Sequence, residues 1–139
     1  MTAARIYVRF QSPTPNARGV RPGIFALVNG LAADGLLTAD EERLRLEGNA
    51  WFHANFTDPT TVDPTVYDRG LHPGAVAWFK VSATHLIDRA AQYLAVLERH
   101  GVACEKAVTD APGVLIYEDA DQVVVVPAAG HGKRAATLR

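Results

Sequence analysis

The sequence predicts a single α+β domain, a two-layer sandwich of about five mostly antiparallel strands with three helices mainly on one face, in the order β-α-α-β-α-β-β-β. Three observations lead there. The segment "RIYVRF" (5–10) alternates apolar and polar residues with period two, as a half-buried strand does. Two stretches, 23–55 and 82–101, carry apolar residues at helical spacing. Two apolar runs near the end, 114–118 and 122–127, are joined by the short turn "DAD" and read as a hairpin. That order is neither regular βαβ alternation nor all-β, and so favours helices laid on one sheet face.

In the first strand, Ile6, Val8 and Phe10 fall on one side and Arg5, Tyr7 and Arg9 on the other. "QSPTPNARGVRPG" (11–23) is a Pro/Gly/Asn connection. Leu27, Val28 and Leu31 then mark a helix over 23–34, ended by Asp34-Gly35. Thr38 and Glu41 stand three apart, as a capping box requires, and open a second helix over 39–55. Its apolar side carries Leu44, Gly48, Trp51 and Phe52. Asp-Pro steps at 58–59 and 63–64 disfavour helix at each aspartate, so the chain must loop there.

"AVAWFKV" (75–81) is the second strand, with Ala77, Phe79 and Val81 facing one way and Val76, Trp78 and Lys80 the other. A third helix over 83–100 follows, with Ser82 as its expected cap and Gly101 as its terminator. Leu86, Ala90, Tyr93, Leu94 and Leu97 form its core stripe. "VACEKAV" (102–108) is an expected strand, and the proline and glycine of "DAPG" are placed for a type II turn. The unbroken valines of the last strand imply burial on both faces, and Pro127 ends it. The domain is expected to span 1–127, with 128–139 as a flexible tail.

Composition narrows the function classes. The 139 residues are 48% hydrophobic and 21% charged, ordinary values for one globular domain. Formal net charge is −1, without the basic excess on which non-specific duplex DNA binding depends. Cys104 stands alone, so neither an internal disulfide nor a multi-cysteine zinc site is expected. The five histidines show no i,i+4 pair that would aim two imidazoles at one ion, so no metal or other cofactor is expected. The amino-terminal segment shows no secretory core and no run reaches membrane-spanning length, which makes the cytoplasm the expected location.

Two glycine motifs near the end fail on inspection. Against a phosphate-binding loop, Pro127 replaces the first glycine and Arg134 the metal-binding hydroxyl residue. As a dinucleotide fingerprint, Gly130, Gly132 and Ala135 lack room for the helix and strand that must follow.

What remains is one sheet face and one loop. If the helices cover Ile6, Val8, Phe10, Phe79 and Val81, the open face carries Arg5, Tyr7, Arg9, Trp78 and Lys80, joined by Tyr117. Glu118 of the acidic turn 117–122 offers a carboxylate to a basic partner or to the cationic strands. Aromatic rings interleaved with cations suit a planar anionic ligand, and the same residue types suit a protein partner or a homodimer. The loop 57–74 is long for a compact domain and brings Tyr67, Asp68, Arg69 and His72 toward that face. The expectation is a small binding or interaction protein, an accessory, inhibitory or immunity-like factor using this face and loop. The alternative is a small cofactor-free enzyme in which His72 and Asp68 form an acid/base pair acting on an anionic substrate.

Overall fold

The computed structural model describes residues 5–128, and residues 129–139 of the expected tail lie outside that range. The element order is β1 (Tyr7–Gln11), α1 (Ile24–Ala33), α2 (Ala39–Asn55), β2 (Val76–Lys80), α3 (Thr84–Ala91), α4 (Leu94–Arg99), β3 (Glu105–Thr109), β4 (Val114–Glu118) and β5 (Gln122–Val126). The strands form one open antiparallel sheet in the order β3-β1-β2-β5-β4. The predicted α+β class is the observed one.

Local chemistry explains most boundaries. Thr38 Oγ1 accepts from the Glu41 amide at 3.1 Å, and Glu41 Oε1 accepts from the Thr38 amide at 2.9 Å. This reciprocal box starts α2 where the sequence places it. Gly35 and Gly101 take φ of 69° and 67°, closing α1 and α4 in the left-handed region that a β-carbon disfavours. The expected third helix is two pieces, α3 and α4, separated by a turn at Gln92–Tyr93. Ser82 is not its cap. The Ala83 amide bonds the Lys80 carbonyl at 2.9 Å, and the helix begins one residue beyond Ala83, without a side-chain cap. Gly113 sits at φ 143°, well past the value of about 80° that a type II turn needs, so the expected turn there is a wider bend.

The main core lies between helices and sheet. Val8, Phe10 and Phe79 meet Ile24, Val28, Leu31, Phe52, Leu86, Ala90, Tyr93 and Leu97. On the opposite face a smaller buried cluster holds Tyr7, Trp78, Val123 and Val125, with Val76 and Ala107 against it. Val123, Val124 and Val125 of β5 are buried, on both faces, as their uninterrupted run implies, while Val126 is half-buried. β5 is internal, between β2 and β4, while β2 takes the middle position. β3 starts at Glu105 instead of residue 102, since its ladder with β1 runs only from Gln11↔Glu105 to Tyr7↔Thr109.

Candidate functional site

The ladder between β1 and β2 is short. Tyr7 pairs with Lys80 and Val8 with Phe79, and there the pairing stops. Beyond that point Arg9 and Phe10 pair with β3 alone, Gln11 pairs with β3 and bridges Gly23, and Val76, Ala77 and Trp78 pair with β5 alone. The two strands therefore diverge, and Arg9 and Trp78 border the gap. Side chains from the helices and the long loop wall it in. The result is a cavity of about 640 Å³. Small-molecule sites commonly occupy about 300–1,000 Å³.

Its walls are largely aromatic. Phe10, Phe25, Phe52, Phe56 and Phe79 line it from the helix side, with Tyr67 from the loop and Trp78 from β2. Several of these rings hold one another edge-on: Phe25 and Phe52 lie 4.7 Å apart at 73°, and Phe52 and Phe56 lie 6.1 Å apart at 80°. Edge-to-face packing fixes ring orientation, so the walls are shaped before anything binds.

Asn29, Asn49, His53, Thr57 and Asp58 add polar groups to this lining, and three further polar side chains each hold a buried atom with no hydrogen-bond partner among the described residues. They are Arg9 (Nε and Nη1), Trp78 (Nε1) and Gln122 (Oε1). Trp78 is 9% exposed and Gln122 1%. Gln122 is fixed by its other end, where Nε2 donates to the Thr57 carbonyl at 2.8 Å and to Asp119 Oδ2 at 2.9 Å. Arg9 makes one hydrogen bond, from Nη2 to the Arg21 carbonyl at 3.1 Å, and no ion pair among the described residues. Burial pulls its guanidinium below the ordinary value, while Tyr67 pulls the other way. Burial in turn raises the Tyr67 hydroxyl, which Arg9 lowers. Orphaned buried polar groups are rare in native proteins, and a cluster of them beside one cavity calls for a reason.

Helix α1 adds to the positive character. Its amino terminus lines the same cavity, Gly23 offers no capping side chain, and the first turn holds no acidic residue. The Arg9 guanidinium lies against Gly23, with both terminal nitrogens 3.3 Å from where a β-carbon would stand. A cation and a helix amino terminus side by side repel unless an anion joins them.

The loop approaches from the helix side. The Thr57 carbonyl is tied to Gln122, whose partner on β2 is Phe79 of the main core. Within the loop the two Asp-Pro-Thr units fold alike. Asp58 Oδ1 accepts from the Thr60 amide at 2.9 Å and its hydroxyl at 2.7 Å, and Asp63 Oδ1 does the same with Thr65 at 3.0 and 2.9 Å. The threonine hydroxyls, chiefly, hold both carboxyls below their usual range. Val66 is fully buried, which seats the loop. Asp58, Pro59 and Tyr67 reach the cavity rim.

The other residues singled out from the sequence lie elsewhere. His72 Nδ1 sits 3.0 and 3.1 Å from the carbonyls of Thr65 and Val66, clipping the loop to itself. Asp68 Oδ1 accepts from the amides of Gly70 and Leu71, and no hydrogen bond joins it to the His72 ring. Arg69 is exposed and outside the cavity lining. The aromatic-basic face is not open as expected, because Tyr7 and Trp78 are buried in the second cluster. Lys80 is no free cation either. Its Nζ stands 2.6 Å from Glu118, which Arg5 also approaches at 3.5 Å. The Lys80 contact, chiefly, lowers the Glu118 carboxyl. Tyr117 shares a face with Val124 and donates to Asp119 at 2.8 Å; burial and that bond push its hydroxyl up to about 12.

Of the sequence candidates, then, Arg9, Tyr67 and Trp78 meet at one cavity. Phe52, Phe56 and Gln122 join them without having been singled out. Their one sequence signal was Gln122, an amide opening a strand otherwise made of valine. Among the described residues no three histidine, cysteine or acidic side chains gather as metal ligands, and no helix is long and apolar enough to cross a membrane. Comparison with protein-family models, curated proteins and solved structures finds no significant match.

Proposed function

We propose that this chain is a binding protein that takes up a small planar organic molecule in the cleft where β1 and β2 part. One observation carries the reading: the unpartnered atoms of Arg9, Trp78 and Gln122 belong to side chains that border a single aromatic-walled cavity. Leaving buried donors and acceptors unpaired costs about 1–3 kcal/mol each, a cost that a ligand supplying their partners would relieve. The cavity's concave shape favours a small molecule over the protein partner that a flat sheet face would suit. Catalysis by His72 and Asp68 draws less support, since neither residue borders the cavity and their side chains are not joined.

The test uses the indole resonances of the two tryptophans in the ¹⁵N-labelled protein, titrated with a panel of neutral, anionic and cationic bicyclic aromatics. At least one compound should saturably move the Trp78 Nε1–H signal while leaving that of Trp51, outside the cavity, in place. Ala77→Phe, placed to fill the cavity from β2, should abolish the response in a protein that still gives a folded spectrum. A Trp78 signal indifferent to the whole panel, or a response untouched by Ala77→Phe, would overturn the reading.

A further inference from the structure

We infer that the ligand is an aromatic monocarboxylate, its negative charge held at Arg9 and the amino terminus of α1; this rests on the cleft being the binding site. The ionisable lining residues include Asp58, His53 and one permanent cation, Arg9. Arg9 is the only lysine or arginine among the lining residues, and it has no carboxylate partner among the described residues. A guanidinium stays ionised at any ordinary pH, so the cation is permanent. Next to it α1 presents an amino terminus without a capping side chain or an acidic residue. That helix end is not the sole support. Trp78, more than nine-tenths buried, also lines the cavity and carries a buried N–H without a partner among the described residues. Every one of these groups donates, and an anion accepts.

The same residues limit the charge to one. Asp58 also lines the cavity, and its bonds to Thr60 keep it ionised. A phosphate ester carrying close to two charges would face one arginine and one opposing carboxylate. Dedicated phosphate sites gather several cations or backbone donors instead. A single delocalised negative charge matches a single guanidinium. The rest of the ligand follows from the walls: Phe52, Phe56 and Tyr67 offer ring faces and edges to a flat apolar body. Gln122 Oε1, the one buried side-chain acceptor without a partner among the described residues, leaves room for one N–H or O–H on that body.

Three probes of the same shape separate the possibilities: 2-naphthoate, the neutral 2-naphthamide and the cationic 2-naphthylmethylamine. Affinity is read from the Trp78 Nε1–H shift. The acid should bind at least tenfold more tightly than the amide and more tightly still than the amine. Arg9→Gln should remove that preference and weaken the acid at least tenfold, while changing the amide by no more than about twofold. Lys80→Gln, on the far-face ion network, should leave all three affinities as they were. Equal binding of acid and amide by the natural protein, or a preference for the amine, would overturn the carboxylate assignment and leave the cleft standing. Silence of Trp78 toward all three would take the cleft down as well. The comparison of acid with amide needs no variant, so a misfolded Arg9→Gln would not protect the inference.

Discussion

Gly48 shows how one position can answer to packing over propensity. Glycine in a helix interior costs about 0.5–1 kcal/mol relative to alanine, yet Gly48 lies within the seventeen residues of α2. A β-carbon there would stand 2.2 Å from the Tyr93 hydroxyl and 2.8 Å from its ring carbon. That hydroxyl donates to Asn49 at 2.8 Å, and the ring is 2% exposed in the main core, so it has nowhere to retreat. Gly48→Ala should therefore destabilise, despite better helix propensity, by about 1–3 kcal/mol, the usual cost of overpacking. Urea unfolding measures it, and an unchanged or higher midpoint would show that Tyr93 moves aside. The sequence could place Gly48 and Tyr93 on the buried sides of their helices. Their collision belongs to the way α2 packs against the turn between α3 and α4, which periodicity does not encode.

The join between α2 and α4 rests on one carboxylate. Glu41 closes the capping box, and its oxygens also accept from Arg99 Nε at 2.9 Å and meet His100 Nε2 at 2.8 Å. The box was legible because three residues of sequence contain it. The two partners from α4 were not, and His100 reads from sequence as a solvated residue at a helix end. Its hydrogen bond to His100, chiefly, together with those to Thr38 and Arg99, lowers the Glu41 pKa from 4.5 to about 2. The sign follows from linkage. Below pH 4.5 the unfolded chain takes up a proton that the folded chain still refuses, so this contribution is full above about 4.5 and fades as pH falls toward 2. Glu41→Gln should lower the urea midpoint at pH 6, and the gap to the natural protein should narrow steadily between pH 4.5 and 3. A gap that stays constant with pH would mean that Glu41 acts by packing alone. Thr38→Ala, which leaves Arg99 and His100 in place, should cost about 0.5–2 kcal/mol at pH 6, the usual range for a lost cap.

The whole molecule sets stability against binding. Alternation and helical spacing revealed the sheet and its helices, since both are periodic in the chain. The cleft was only half visible, because it depends on where the β1–β2 ladder stops. Period two assigned Arg9 and Lys80 to one face as equals, and the sheet then separated them: Lys80 found Glu118, while Arg9 was left beside a gap. That difference has a consequence for the free protein. Arg9 gains one hydrogen bond, to the Arg21 carbonyl, worth about 0.5–1.5 kcal/mol net. Against it stand the buried, unpaired Nε and Nη1, whose desolvation costs about 1–3 kcal/mol each. Methionine at this position would keep an unbranched apolar stem and adapt to the aromatic walls without any polar atom to satisfy. Arg9→Met should accordingly raise the stability of the unliganded protein by about 1 kcal/mol, read as a higher urea midpoint at unchanged slope. It should at the same time abolish the stabilisation that 2-naphthoate gives the natural chain, about 2.7 kcal/mol at a hundred times Kd. A residue that strengthens the fold when removed and ends binding when removed is held there for the ligand. If Arg9→Met instead unfolds the protein more easily, the guanidinium is a strut between β1 and the 21–23 segment, and the cleft owes its shape to the fold alone.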